Sequence, residues 1–155
     1  MTNGQKLKIL FADDDETFRL LVKRAIHSKS ELNQICGIDF VTDGTEAVDY
    51  VLGNKQYKDR EQYPLPHVLL LDQRMTQMDG SEALAALKAN PATSRIPMCI
   101  LSSARKPDLY ELCYGLGAAF CIAKPMDYST LTKKLEVMIK FFYEVLEVQQ
   151  SPSMA

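Results

Sequence analysis

The sequence predicts an α/β fold, a parallel five-stranded sheet with helices on both faces. Short apolar runs alternate with stretches of helical periodicity five times along the chain, the mark of successive strand–helix units. Four of the apolar runs stop abruptly at Asp13, Asp72, Ser102 and Lys124, as buried strands do where they emerge into loops. The length of 155 residues, with 46% hydrophobic and 25% charged residues, suits one domain with a real core and is too short for two.

Leu7 to Ala12 reads Leu-Lys-Ile-Leu-Phe-Ala and forms the first strand, ending at Asp13, Asp14, Asp15 and Glu16. Phe18, Leu21, Val22, Ala25 and Ile26 follow at helical spacing, and acid at the start of that helix suits its positive end. Ile35 to Val41 contains a second, less strongly patterned strand. Asp43-Gly44 reads as a turn, and Ala47, Val48, Val51 and Leu52 as a helical stripe. Gly53 to Pro66 is polar and punctuated by Pro64 and Pro66. It reads as a loop longer than the ~4–6 residues usual in compact domains.

Val68 to Leu71 is the third strand, stopped by Asp72. Asp79-Gly80 opens a helix with Ala83, Leu84 and Leu87 on one face. Pro97 to Leu101 is the fourth strand, and Asp108 to Tyr114 a short helix ending at Gly115 or Gly117. Ala118 to Ala123 is the fifth strand, stopped by Lys124, and Leu131, Leu135, Met138, Ile139 and Phe142 form the stripe of a last helix. The domain is expected over 7–147, with 148–155 as a flexible tail.

The formal charge is -2. A nucleic-acid-binding domain carries a clustered positive surplus, and none is visible, so no nucleic acid partner is expected. No stretch approaches the ~20 apolar residues of a membrane helix, and Met1 to Lys8 has no signal-like apolar region; the expected location is cytoplasmic. Cys36, Cys99, Cys113 and Cys121 lack close metal-ligand spacing and read as reduced thiols, buried in the case of Cys99 and Cys121.

In an open parallel sheet, function collects beyond the carboxyl ends of the strands. There the sequence places Asp13 and Asp14, Asp72, Ser102 and Lys124. Any one of them reads as a polar cap on a buried strand, whereas four strand ends together point to a site. Crowded carboxylates repel and require a positive counterpart. Magnesium, a hard cation that takes oxygen ligands, is the natural candidate, and lysine adds a mobile point charge. Such a set suits phosphoryl transfer to a carboxylate nucleophile.

Four blocks resemble the receiver domains of bacterial response regulators, over about Leu7 to Phe142. They are Ile9-Leu10-Phe11-Ala12-Asp13-Asp14-Asp15, Leu69-Leu70-Leu71-Asp72 with Met75 and Met78-Asp79-Gly80 behind it, Ile100-Leu101-Ser102-Ser103, and Gly117-Ala118 leading to Lys124-Pro125. The resemblance implies a flavodoxin-like (βα)5 fold with strand order 2-1-3-4-5. It implies Asp72 as phosphoacceptor and a Mg2+ site of Asp13, Asp14, Asp72 and the backbone carbonyl of Arg74. Asp14 would be the direct ligand and Asp13 would act mostly through water. Ser102 and Lys124 would sense the phosphoryl group, and the Lys124-Pro125 bond would be cis. The phosphoryl donor would be a sensor histidine kinase or a histidine phosphotransfer protein. The long loop and extended last helix are similar to stand-alone regulators paired with phytochrome-type kinases.

Three positions depart from the family pattern. Thr76 stands where many members carry proline, and Gln73 follows Asp72 where an apolar residue is commoner. Cys121 occupies the position of the aromatic switch residue, so the usual ring movement has no ring. Phe120 is no simple substitute, because adjacent strand residues face opposite sides.

With no further domain in view, output is expected through protein contacts. Phe141, Phe142, Tyr143, Val145, Leu146 and Val148 make an apolar end to the last helix, broader than one core stripe. This nominates a homodimer surface over the fourth helix, fifth strand and fifth helix. Rival readings are a magnesium-dependent phosphatase, with Asp15 two residues after Asp13, and an interaction domain that has lost phosphorylation. A nucleotide-binding fold fits poorly, since acid rather than a glycine-rich loop follows the first strand.

Overall fold

The computed structural model describes residues 5–148. Five parallel strands, β1 (Leu7–Ala12), β2 (Cys36–Val41), β3 (Val68–Asp72), β4 (Met98–Ser102) and β5 (Phe120–Ala123), pair in the order β2-β1-β3-β4-β5. Strand periodicity sorts the core into two layers. Leu7, Ile9, Phe11, Val68, Leu70, Cys99 and Leu101 face one side, under α1 (Glu16–His27), α2 (Ser30–Ile35) and α6 (Tyr128–Val145). Leu10, Ala12, Leu69, Leu71, Met98 and Ile100 face the other, under α3 (Gly44–Leu52), α4 (Gly80–Lys88) and α5 (Pro107–Gly115). β3 and β4 are buried throughout, whereas the edge strand β2 alternates, as central and edge positions require.

The expected fold and strand order are both present, with element bounds shifted by one or two residues. One element was not anticipated. Residues 30–35 form the short helix α2, so the second strand starts at Cys36 and the fourth helix of the sequence reading is α5. Asp43-Gly44 is the start of α3 rather than a free turn, with the Asp43 carboxylate accepting the Glu46 amide at 2.8 Å, a helix N-cap.

The segment 53–66 is a folded cover rather than a plain polar loop. A 3-10 turn at Lys55–Tyr57 buries Tyr57, whose ring meets Tyr50 and Tyr63 at 4.9 Å each. Tyr57 donates its hydroxyl to Glu46 Oε2 at 2.6 Å. Arg60 donates to the carbonyls of Tyr50 and Val51 at 2.9 and 2.7 Å, adding a cation to the C-terminal end of α3, where Tyr50 O also accepts the Gly53 amide at 3.1 Å.

Two further expectations are corrected. The Lys124-Pro125 bond is trans, as are the other described peptide bonds. Trans is the lower-energy isomer by ~0.5–1 kcal/mol even before proline. Val148, assigned to the tail, is buried in the core layer of α1 and α6; residues 149–155 lie outside the described part. Tyr143 and Leu146 also pack against that core, so the apolar end of the last helix leaves Phe141 and Val145 exposed.

Candidate functional site

The strand order brings the predicted residues together. β1, β3, β4 and β5 are successive neighbours in register, and the pairing continues past their ends. The Asp13 amide donates to the Val41 carbonyl at 3.1 Å, Gln73 to Leu101 at 2.8 Å and Lys124 to Ser102 at 2.7 Å. Asp13, Asp72, Ser102 and Lys124 therefore emerge at one sheet edge, where the order reverses between β1 and β3, the expected place for a site.

Asp13 and Ser102 are almost fully enclosed, and Asp72 nearly so. Lys124 Nζ lies 2.8 Å from Asp13 Oδ2 and 3.2 Å from Asp72 Oδ1, and 4.3 Å from the centre of the Phe18 ring, a cation–π position. Burial disfavours its ammonium, but the two carboxylates outweigh this and leave its pKa above the ordinary lysine value. Burial, then the charge of Asp13, pushes the Asp72 carboxyl up to about 6, against the pull of Lys124.

One cation serves two buried acids, so the set is short of positive charge. Asp13 Oδ2 is the one buried side-chain oxygen among the described residues without a hydrogen-bond partner, its counterpart being the Lys124 ion contact. Oxygen atoms of Asp13, Asp14 and Asp72 lie within 4.8 Å of one another. An under-compensated, all-oxygen cluster open on the exposed Asp14 side fits a hard divalent cation. The cleft beside it, of about 580 Å³, is lined by Asp14, Arg74, Lys106 and Leu109 among others.

Backbone fixings that single-residue reading missed hold this edge. Arg19 Nη1 donates to the Asp13 carbonyl. Gln73, one of the departures from the family pattern, accepts the Ser81 amide at 2.9 Å through Oε1, while its Nε2 donates to Ser81 Oγ at 3.2 Å. It ties the end of β3 to the start of α4. The pairing is between residues 73 and 81, and no spacing motif announces it.

A carboxyl whose folded pKa is raised contributes stability that is present below the unfolded value and lost as pH rises through about 6. Without divalent ions, Asp72→Asn is therefore expected to be more stable than the wild type by about 2–3 kcal/mol at pH 8, and by about half as much at pH 5. Urea denaturation in EDTA at the two pH values measures this; an equal difference at both would refute it.

Cys121 and Phe120 divide as strand neighbours should. Cys121 packs against the α3–α5 layer, and the Phe120 ring lies 6.0 and 6.1 Å from Phe141 and Phe142 of α6. All four cysteines are free thiols.

Comparison with known proteins agrees with this geometry. The family model of the response regulator receiver domain matches residues 9–136. The chain is 25% identical over 138 residues to the response regulator Rcp1 of Synechocystis, covering 89% of this chain and 90% of that protein. Among solved structures, the phosphorylated cyanobacterial phytochrome response regulator RcpA superposes with a TM-score of 0.81 at 26% identity, over 90% of this chain and 96% of that one. The bacteriophytochrome response regulator AtBRR gives 0.67 at 26% identity, over 85% and 91%. Fold, strand-end residues and family match converge: the chain belongs to the response regulator receiver domain family.

Proposed function

We propose that the chain is a phosphorylatable receiver domain of a two-component system, with Asp72 as the acceptor. The observation that carries this is the site itself: a nearly enclosed carboxylate beside two further acids, bridged by Lys124. In the transfer, an Asp72 carboxylate oxygen attacks phosphorus and forms an O–P bond. The N–P bond of a donor phosphohistidine breaks, and the imidazole keeps the electron pair. Lys124 holds Asp72 Oδ1 in place and stands where its charge meets the phosphoryl oxygens. Asp13, Asp14, Asp72 and the Arg74 carbonyl would hold Mg2+, whose charge would neutralise those oxygens. The Ser102 hydroxyl is the donor that turns toward the new group.

Receiver domains are signalling proteins rather than classic enzymes, and hydrolysis of the acyl phosphate returns the resting state. The donor is a sensor histidine kinase or a histidine phosphotransfer protein. Similarity to the phytochrome response regulator RcpA and the bacteriophytochrome response regulator AtBRR favours a phytochrome-type kinase. We assign output to protein contacts in the cytoplasm, a homodimer through α5, β5 and α6 among them.

Incubation with acetyl phosphate and magnesium, read by intact mass, tests the reading. The wild type is expected to gain one phosphoryl group, lost on addition of EDTA before the donor, and Asp72→Asn none. No gain with small donors and cognate kinases alike would overturn it. Repeated turnover of a small phosphate ester would instead favour a phosphatase.

A further inference from the structure

We propose that Tyr110, on α5, carries the phosphorylation state of the site outward, in the role left open by the absence of a ring at Cys121. The inference rests on Asp72 being the phosphoacceptor.

Helix α5 is weakly held. Of its nine residues only Cys113 is buried, and its N-cap residue Lys106 offers no side-chain cap. A helix with so few buried contacts moves at low cost. Two tyrosine hydroxyls tether it to the sheet. Tyr114 Oη accepts the Cys121 amide of edge strand β5 at 3.0 Å. Tyr110 Oη lies 3.3 Å from Ser102 Oγ, linking the helix directly to the hydroxyl at the site.

Counting protons gives that second contact a direction. A serine hydroxyl has one proton and two lone pairs. Ser102 gives its proton to the Ala104 carbonyl, so at Tyr110 it can only accept, and the Tyr110 hydroxyl donates. A phosphoryl group on Asp72 brings strong acceptor oxygens. When Ser102 turns to donate to one of them, it leaves the Ala104 carbonyl and withdraws the acceptor from Tyr110. Tyr110 is then the first group outside the site to lose its partner, and a half-buried hydroxyl without a partner must find another. The groove that Tyr110 lines offers it water instead.

The surroundings permit the movement. The Cys121 thiol, a small side chain, lies against the Tyr110 carbonyl at 3.9 Å. Tyr110 and Tyr114 line a groove of about 830 Å³ with Phe120, Val137 and Phe141. A shift of Tyr110 changes the shape of that groove, which turns a proton exchange at Ser102 into a surface change.

The test uses the full chain labelled with 3-fluorotyrosine, whose Tyr110 fluorine resonance among the seven tyrosines is assigned with Tyr110→Phe. Acetyl phosphate and magnesium are added, and intact mass is read in parallel. The expected result is a phosphoryl gain with the Tyr110 resonance moving by more than its linewidth. A gain with that resonance unmoved would overturn the inference and leave the phosphoacceptor reading standing. No gain at all would overturn both. Amide spectra of Tyr110→Phe supply a second readout. The unphosphorylated variant should already show the α5 amides displaced toward their phosphorylated positions, with less left to move on phosphorylation. Amides matching the wild type in both states would refute the proposal.

Discussion

Lys124→Ala is expected to destabilise the metal-free protein by about 3–5 kcal/mol at pH 8, with a much smaller loss at pH 5. The charge of Lys124 is shared between Asp13 Oδ2 and Asp72 Oδ1. Removing it leaves two acids in an enclosed site with no compensating cation. At pH 5 Asp72 carries a proton, because its pKa is already raised to about 6, and the repulsion relaxes. The lost contact with the Phe18 ring adds roughly 0.5–1 kcal/mol at either pH. Lys124→Met keeps most of the apolar stem and isolates the charge. Urea melts followed by circular dichroism, in EDTA, measure both variants. A loss that is the same at pH 5 and pH 8 would show that packing, not charge, is what Lys124 supplies. Added magnesium should return more stability to Lys124→Ala than to the wild type, since it answers the same deficit.

The second large effect is expected from one added methyl group. A Cβ on Gly44 would lie 2.2 Å from the Met78 carbonyl oxygen, and one on Gly80 2.6 Å from the Asp72 carbonyl oxygen. Both obstacles are backbone, so no side chain can swing aside. Gly44 also donates its amide to that Met78 oxygen at 3.1 Å. The segment between β3 and α4 is thus clamped at both ends by helix-starting glycines. Gly44→Ala should cost about 3–5 kcal/mol and Gly80→Ala about 3 kcal/mol. Gly37→Ala, with open space around its Cβ position, should stay within about 0.5 kcal/mol of the wild type. The Gly80 variant carries a second expectation. Displacing the Asp72 carbonyl shifts the proposed acceptor, so the folded fraction should take up phosphoryl groups more slowly. Thermal melts and the rate of mass gain read the two effects separately. Equal stability of the Gly44 and Gly37 variants would contradict the clamp.

Much of this site was legible because strand termination is written in residue type. The apolar run from Leu7 and the acid at Asp13 mark the end of β1 without ambiguity, and the same contrast marks Asp72, Ser102 and Lys124. Strand order came from resemblance, since nothing in an isolated strand names its neighbour. Helix α2 escaped because Ser30–Ile35 places one residue, Leu32, in the core, too little periodicity to stand out. The cover over α3 escaped for the opposite reason. Tyr57, Arg60 and Tyr63 look solvated in a polar stretch, and their partners are backbone carbonyls and rings that only the fold supplies. Tyr110 was hidden likewise, because its contact with Ser102 depends on a helix returning over its own strand.

That cover has a consequence for how the chain assembles. Its fixings join residues close in sequence: Tyr57 to Glu46, Arg60 to Tyr50 and Val51, Tyr63 to Tyr50. Closing loops of this size loses little chain entropy. Helix α3 and the residues after it can therefore gather into a local unit before β3 and β4 find β1. A long connection that would slow the search for non-local strand pairs is shortened in advance, and the effective contact order of the remaining problem falls.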